Sequence, residues 1–197
     1  MKGFDMVMVR VTDNDGNTGC GYTVMHEGFG GSILTTVQEN FTPWTLQQDP
    51  RRIEWIWRNL WRTHHYVGRG GIIAFAIAAL DTALWDLRGN TLGEPLWRLL
   101  GGYSPEVRAY AGNIDLNFPV DDLLAGASKS LDAGFKSIKM RLGKPTLGED
   151  LVRVEAMREH LGSDIELMAD ANEAWRTDQA TIALRALGEF NLVWVEE

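Results

Sequence analysis

The sequence has almost no cysteine, since Cys20 is the only one among its 197 residues. No disulfide can form within the chain, and zinc sites built on four cysteines, or on two cysteines and two histidines, are excluded. A long apolar run is also missing, because the longest one, Ile72 to Leu80, is too short to span a bilayer. The start of the sequence lacks a basic segment followed by an apolar core, so we expect a cytoplasmic protein without a secretory signal.

Basic residues are fewer than acidic ones, with 19 Lys and Arg against 27 Asp and Glu and a formal net charge of −8. This balance argues against a nucleic-acid partner, which normally requires a basic face. A hydrophobic content of 45% and a charged content of 23% are ordinary for a soluble globular protein. The length suits one large domain, or one small domain with part of another.

The first hundred residues predict a hairpin followed by helices. Met6–Val11 and Thr18–Val24 read as strands, and Asp13–Gly16 between them has turn chemistry. A glycine-rich loop is expected at Met25–Gly31, and a helix after it with Ile33, Val37 and Phe41 on one face. Further helices are predicted after Asp49-Pro50, over the apolar segment Ile72–Leu87 and over Leu96–Leu100.

From residue 104 onward, predicted strands and helices alternate. The strands are Val107–Ala111, Ser137–Leu142, Glu166–Ala169 and Leu192–Val195, and the helices are Val120–Ala133, Leu147–Leu161 and Thr177–Leu187. Such alternation predicts right-handed crossovers and a parallel sheet, in either a barrel or a doubly wound arrangement. We therefore expect two domains, residues 1–103 and 104–197.

Polar side chains cluster where the predicted parallel strands end, which is where such folds carry their active sites. Lys139 and Arg141 share one strand face and suit an anionic substrate, or else form ion pairs with neighbouring helices. Asp170 and Asn172 follow the next strand, and Glu196 the last one. Their oxygen atoms suit Mg²⁺. Alternatively, Asp170 is a loop residue resembling a helix cap and Glu196 is a surface acid.

The spacing of these residues gives the pattern its specificity, because 29 positions separate Arg141 from Asp170 and 26 separate Asp170 from Glu196. Over nearly its whole length the chain resembles the mandelate racemase branch of the enolase superfamily. The matching motifs are Lys139-Met-Arg141, Asp170-Ala-Asn172, Trp194-Val-Glu196-Glu197, and the segment Ala79–Leu87 followed by Pro95-Leu96 and Leu99–Gly102.

The resemblance implies an α+β capping domain followed by the first half, about four β/α units, of a TIM-type (β/α) barrel. Asp170 and Glu196 are expected to be two of three carboxylate ligands of one Mg²⁺. The metal would bind a substrate carboxylate and stabilise the enediolate formed when the α-proton is removed. Lys139 would neutralise the substrate carboxylate, and Asn172 would hydrogen-bond the substrate.

The capping loops are expected to set specificity, with His26 in the first loop and His65, Tyr66 and Arg69 in the second. His26 and His65 have an alternative, purely structural interpretation. Polar, cationic loops suit a polyhydroxylated acid, so the expected partner is a small acid sugar. The resemblance also implies a homo-oligomer in the full-length form.

Arg141 departs from the family, which usually has a lysine base at this position. A guanidinium stays protonated at ordinary pH, so we expect Arg141 to act electrostatically rather than as a base. Racemisation needs a base on each face of the substrate, whereas dehydration needs one base and an acid. The favoured activity is therefore dehydration of an acid sugar of the galactarate or talarate type. A racemase, epimerase or cycloisomerase of the same superfamily is the alternative.

The sequence also lacks parts that the resemblance leads one to expect: the first strand of the capping sheet, the later barrel strands, the third metal ligand and a His-Asp dyad. We therefore expect a fragment that, alone, is unstable or self-associates and has no turnover. An alternative of another class is an inactive remnant that serves only as a binding or assembly module.

Overall fold

The computed structural model describes residues 3–26 and 28–197, without the side chain of His26. The chain divides into two compact units, residues 1–105 and 106–197. Each unit has its own cluster of buried apolar side chains. In the described part of the chain, no helix is long and apolar enough to cross a membrane.

The predicted hairpin is confirmed in the first unit. Strand β1 (Phe4–Thr12) pairs antiparallel with β2 (Thr18–His26), with Val9 opposite Gly21. The turn is closed by the carboxylate of Asp13, which accepts the N–H of Asn17 at 2.9 Å. Strand β2 continues further than predicted, into the expected glycine-rich loop.

Helices follow the hairpin: α1 (Gly30–Thr35), a π-helical segment (Thr36–Phe41), α2 (Thr42–Thr45), α3 (Ile53–Thr63), α4 (Gly71–Leu92) and α5 (Leu96–Leu99). Ile33, Val37 and Phe41 are all buried, as their spacing predicts. The wide π-turn precedes Pro43, whose ring disfavours a regular helical turn before it.

Helix α3 begins later than the sequence predicts. The prediction places its start directly after Asp49-Pro50, but the helix begins at Ile53, and the carboxylate of Asp49 binds the guanidinium of Arg51 at 2.8 Å. The local Asp–Arg pair satisfies the acid within the preceding turn, so it is not used as the helix cap.

Helix α4 is the centre of the first unit, and it packs against the hairpin through two glycines. A Cβ atom on Gly21 would overlap the carbonyl oxygen of Ala79, and one on Gly19 would overlap that of Ala83. The absence of side chains at these positions lets β2 approach the backbone of α4 directly. The predicted buried helix is confirmed, with Ala76, Ala79 and Ala83 fully buried.

The second unit is a four-stranded parallel sheet with helices between its strands, ordered β3-β4-β5-β6. Its elements are β3 (Ala111–Gly112), α6 (Val120–Asp132), β4 (Ser137–Arg141), α7 (Leu147–Leu161), β5 (Glu166–Asp170), α8 (Thr177–Leu187) and β6 (Val195–Glu196). A capping domain followed by half of a TIM-type barrel is thereby confirmed as the fold.

The two outer strands are shorter than predicted. Ala111 lies opposite Ile138, so residues before Tyr110 lie beyond Ser137, where β4 begins. Residues 107–109 therefore have no residue of β4 opposite them with which to pair. In β6 only Val195 and Glu196 form the ladder with β5, although the N–H of Val193 already donates to Leu167 at 2.9 Å.

Alternation along the strands separates an apolar face from a polar one. Ile138 and Met140 of β4, with Leu167 and Ala169 of β5, are buried against the helices. Lys139, Arg141 and Asp170 consequently project to the opposite face, at the carboxyl ends of their strands.

Candidate active site

Strand register brings the predicted site residues of the second unit together. Arg141 on β4 lies opposite Asp170 on β5, and Asp170 lies opposite Glu196 on β6. The Asp170 side chain is 5% exposed and that of Lys139 14%, whereas Glu196 is 43% exposed. The site is thus buried on the Asp170 side and open to solvent at Glu196.

Two cations meet two carboxylates at this edge. Nζ of Lys139 lies 3.0 Å from Oδ2 of Asp170 and also hydrogen-bonds Oε1 of Glu196. Nη1 of Arg141 lies 2.7 Å from the same Oδ2 of Asp170. The two cations were expected to bind an anionic substrate or to pair with neighbouring helices. In the structure they pair with the carboxylates of neighbouring strands and not with helices, and their binding of an anionic substrate stays a prediction.

Asn172 completes the group. Its backbone has φ of 51°, a left-handed conformation that asparagine tolerates better than most residues. Its N–H donates to Oδ1 of Asp170 at 2.8 Å, and its side-chain oxygen accepts from Nη1 of Arg141. The turn after β5 therefore places the backbone N–H of Asn172 against the carboxylate of Asp170, two residues earlier in the chain.

Both partners of the central ion pair are held in their charged forms. Burial alone would raise the pKa of Asp170, but the Lys139 hydrogen bond, the Asn172 N–H and the Arg141 charge lower it overall. Burial alone would lower the pKa of Lys139, but hydrogen bonds to Glu196 and Asp170 raise it overall. Lys139 is thus an ammonium and Asp170 a carboxylate at neutral pH.

The loop residues expected to set specificity lie in the first unit. His65 and Tyr66 follow α3, and their rings meet edge to face at 6.4 Å. Nδ1 of His65 donates to the carbonyl oxygen of Arg62 at 2.7 Å, while Tyr66 is 93% exposed and Arg69 is exposed. The side chain of His26 lies outside the described part of the chain. Their roles remain predictions.

Sequence reasoning missed a buried ion pair beneath the site. Asp115 lies in the irregular segment after β3, where no periodicity marks it, and its Oδ1 accepts the N–H of Arg141 at 2.9 Å. Arg153 on α7 lies 3.7 Å from the same oxygen and donates to the carbonyl oxygen of Phe118 at 2.8 Å. This pair fixes the backbone at the end of β4.

An aromatic pair beside Lys139 was also missed. Tyr110 and Trp194 meet edge to face at 5.6 Å, and Nζ of Lys139 lies 5.6 Å from the centre of the Tyr110 ring. Trp194 stands two residues before Glu196, so strand alternation could have placed both on one face. The ring of Tyr110 offers its negative face to the ammonium.

Comparison with known proteins identifies the family. The mandelate racemase / muconate lactonizing enzyme N-terminal domain matches residues 1–101, and the enolase C-terminal domain-like family matches residues 122–197. The chain belongs to the mandelate racemase / muconate lactonizing enzyme family of the enolase superfamily. The predicted family is confirmed.

Relatives in this family carry out several reactions. A 3,6-anhydro-alpha-L-galactonate cycloisomerase from Streptomyces coelicolor is 48% identical over 100% of this chain and 55% of its own length. A crystal structure of a racemase from Streptomyces coelicolor with bound magnesium has a TM-score of 0.94 and 48% identity, covering 98% of this chain and 58% of that one.

An L-talarate dehydratase from a Polaromonas species, solved with magnesium and L-glucarate, is 34% identical with a TM-score of 0.88. The match covers 98% of this chain and 54% of that one. The chain therefore spans about half the length of the relatives it matches. Dehydratases, cycloisomerases and racemases are all found among these members of the superfamily.

The chemistry of the two carboxylates can be compared with the needs of a metal ion. Asp170 and Glu196 come from adjacent strands, and both bind the same atom, Nζ of Lys139. Two hard oxygen ligands that already converge on one positive charge fit a magnesium ion. Among the described residues, no group of three His, Cys, Asp or Glu side chains is placed to hold a metal.

Proposed function

We propose that the chain contributes to the active site of an enzyme that removes the proton α to the carboxylate of a sugar acid, with Mg²⁺ as cofactor. The observation that carries the proposal is the convergence of Asp170 and Glu196 on one cation, with a second cation, Arg141, bound to Asp170. Magnesium in the related racemase and dehydratase structures supports it.

Asp170 and Glu196 would hold the metal through their carboxylate oxygens. When bound, the ion supplies Lewis-acid stabilisation of the negative charge that develops on the substrate as the α-proton leaves. Lys139 lies next to both ligands, so its ammonium can turn from them to a substrate carboxylate. It then contributes a fixed positive charge in a partly buried site, where electrostatic stabilisation is strongest.

Arg141 would provide charge rather than take the proton. Its guanidinium is bound to Asp170 and to the side-chain oxygen of Asn172, and arginine keeps its proton at ordinary pH. Asn172 is held in turn by its own N–H on Asp170, which orients its amide for a hydrogen bond to substrate. Because Arg141 stands where the family usually has a lysine base, the site suits a reaction that needs only one base.

The proposed reaction is therefore an elimination, in which a base takes the α-proton and the oxygen on the β-carbon then leaves with a proton from an acid. If that oxygen leaves as water, the enzyme is an acid-sugar dehydratase of the galactarate or talarate type. The 34% identical talarate dehydratase supports this first candidate.

A second candidate rests on the 48% identical cycloisomerase. In a 3,6-anhydro sugar acid the oxygen on the β-carbon belongs to a ring, so its loss opens the ring without release of water. Both candidates need the same proton abstraction and differ in the leaving group. We propose that His26, His65, Tyr66 and Arg69 contribute to that choice as specificity residues.

The experiment is a substrate screen with the complete gene product that contains this sequence. Galactarate, talarate and 3,6-anhydrogalactonate are each incubated with Mg²⁺, and with EDTA as the control. We expect magnesium-dependent consumption of at least one, with the α-hydrogen lost to solvent and one solvent deuterium at the former β-carbon after the enol product tautomerises to a ketone. Turnover that survives EDTA, or products that keep the α-hydrogen with every sugar acid, would contradict the proposal.

Metal binding is tested separately by calorimetry on the same protein. Asp170→Asn removes one charged ligand with little change of shape, so we expect magnesium affinity to fall by about tenfold or more. Asp178→Asn is the matched control, because Asp178 is an exposed acid on α8 paired with Arg176. Equal magnesium affinity in the two variants would show that Asp170 is not a metal ligand.

A further inference from the structure

The end of strand β4 extends beyond its neighbour on one side. Strand β3 ends at Gly112, which lies opposite Lys139, so β4 runs two residues further than β3. Continued pairing would place Ile114 opposite Arg141, but Ile114 lies outside the strand and is 80% exposed. Within the described sheet, the backbone N–H of Arg141 is therefore left without a strand carbonyl on the β3 side.

A buried carboxylate takes the place of the missing strand. Oδ1 of Asp115 accepts the N–H of Arg141 at 2.9 Å, and Asp115 is 2% exposed. On the other side of β4, the N–H of Leu142 donates to the carbonyl oxygen of Asp170 at 2.8 Å. The two hydrogen bonds hold the end of β4 from both sides, although only one side has a neighbouring strand.

The turn that carries Asp115 is fastened to α7 by one arginine. Nη2 of Arg153 donates to the carbonyl oxygen of Asp115 at 2.9 Å and lies 3.7 Å from its Oδ1. Nη1 of Arg153 donates to the carbonyl oxygen of Phe118 at 2.8 Å, and the N–H of Phe118 donates to the carbonyl oxygen of Asp115 at 2.9 Å. The position of Asp115 is consequently set by a helix as well as by its own turn.

The backbone direction at Arg141 decides where its guanidinium lies. Successive side chains leave a strand toward opposite faces, so a rotated peptide plane at Arg141 would swing the guanidinium away from its partners. Nη1 of Arg141 lies 2.7 Å from Oδ2 of Asp170 and also donates to the side-chain oxygen of Asn172. Both contacts therefore depend on the peptide group that Asp115 holds.

We propose that Asp115 is a positioning residue for the reaction, which holds the guanidinium of Arg141 at Asp170 and Asn172 by binding the Arg141 N–H. The inference rests on the proposed function, in which Arg141 supplies positive charge as the α-proton leaves. Asp115 itself is buried, so its effect on the reaction passes through Arg141.

The ionic character of this support fits a positioning role. The free-energy cost of removing two charges from water offsets most of their attraction, so a buried ion pair is by itself a weak source of stability. A carboxylate, however, accepts a stronger hydrogen bond than a neutral oxygen does. Asp115 thus holds the Arg141 N–H more firmly than a loop carbonyl would.

The experiment compares two variants of Asp115 in the complete gene product. Asp115→Ala removes the acceptor of the Arg141 N–H, whereas Asp115→Asn keeps an oxygen there. Both leave Arg153 without its anion, so they share that stability cost, and the difference between them isolates the hydrogen bond.

The kinetic expectation concerns kcat, because the charge of Arg141 acts as the transition state forms. With a sugar acid that is turned over, Asp115→Ala should lower kcat about tenfold or more, and Asp115→Asn less than about threefold. KM should change by less than about threefold in both variants.

A chemical measurement follows Arg141 without any turnover. Phenylglyoxal modifies guanidinium groups, and mass spectrometry of peptides gives the rate at each arginine. The side chain of Arg141 is 23% exposed, whereas that of Arg176 is 81% exposed and serves as the internal reference. We expect Asp115→Ala to raise the Arg141 rate relative to Arg176 about threefold or more, and Asp115→Asn to leave it nearly unchanged.

A circular dichroism melt checks that each variant folds. Asp115→Leu, which fills the same space without an acceptor, replaces Asp115→Ala if that variant is unfolded. Equal losses of kcat in Asp115→Ala and Asp115→Asn would overturn the proposal, as would an Arg141 modification rate that Asp115→Ala leaves unchanged. If the original enzyme turns over no sugar acid, the proposed function fails, and the Arg141 rates alone decide the positioning role.

Discussion

At the scale of single residues, the site depends on how charges are shared. Asp170 binds two cations at once, and Lys139 binds two carboxylates. The sequence showed that these residue types lie at strand ends, but the bond between Lys139 and both acids follows from the register of three strands. Arg141 is the residue whose chemistry most restricts the reaction, because it cannot easily release its proton.

Arg141→Lys tests the electrostatic role. A lysine keeps the charge but loses the planar group that contacts Asp170 and Asn172 together, and it can also act as a base. We expect the complete gene product with this change to alter the ratio of rates for two substrate epimers by about tenfold, equivalent to about 1.4 kcal/mol in the barrier. Unchanged rates for each epimer would contradict the assignment.

Arg153→Met tests the buried pair beneath the site. The variant leaves Asp115 without its cation and removes the donor to the carbonyl oxygen of Phe118. Because both partners are buried, we expect a loss of about 3 kcal/mol in unfolding free energy, measured by urea denaturation. Arg176→Met is the control: its exposed pair with Asp178 should contribute less than about 1 kcal/mol.

The same variant has a predicted pH dependence. Burial raises the pKa of Asp115, against the lowering influence of the Arg141 N–H and the Arg153 charge. A raised pKa means that this group favours folding most below its unfolded value of 3.8, and that the contribution is lost as pH rises through the folded pKa. Without the Arg153 charge, burial raises the pKa of Asp115 further. The stability gap between Arg153→Met and the original chain should therefore narrow at acidic pH, and a constant gap would refute this.

At the scale of elements, the packing of the first unit depends on the close approach of the β2 and α4 backbones. The turn residues, the strand alternation and the apolar helix were readable from local patterns. The contact of β2 with α4 was not. A glycine in a strand can mark a bulge, a bend or the close approach of another backbone, and only the tertiary structure shows that the α4 backbone lies against Gly19 and Gly21.

Gly21→Ala tests that contact. The added methyl group would overlap the carbonyl oxygen of Ala79, which belongs to a helix backbone and cannot move easily. We expect a loss of about 3 kcal/mol in unfolding free energy. Gly126→Ala in α6 is the control, since its Cβ would lie 3.6 Å from Nδ2 of Asn113. That variant should be unchanged or up to about 1 kcal/mol more stable, owing to better helix propensity.

Element boundaries in the second unit show where local reasoning failed. Helices α7 and α8 begin and end at the predicted residues. The outer strands β3 and β6 do not, because a strand extends only where a neighbouring strand offers partners. Periodicity along one segment carries no information about the length of its neighbour.

At the scale of the whole molecule, the described residues form one hydrophobic core in each unit. Leu84 is buried in the first and Leu167 in the second, and the two clusters share no residue. We expect Leu84→Ala to speed amide hydrogen exchange mainly in residues 3–105, and Leu167→Ala mainly in residues 106–197. Each variant should lose about 2–5 kcal/mol in unfolding free energy. Equal acceleration across both units in either variant would show a single cooperative core.

Local chemistry in the sequence determined the family, the order of elements and the residue types of the site. Motif spacing and side-chain periodicity are properties of neighbouring residues, so they can be read along the chain. The tertiary structure alone decided which charges meet, that Asp115 and Arg153 support β4, and that the hairpin is apolar on the side away from α4. These features depend on strand register and on packing between segments far apart in sequence, which no local pattern encodes.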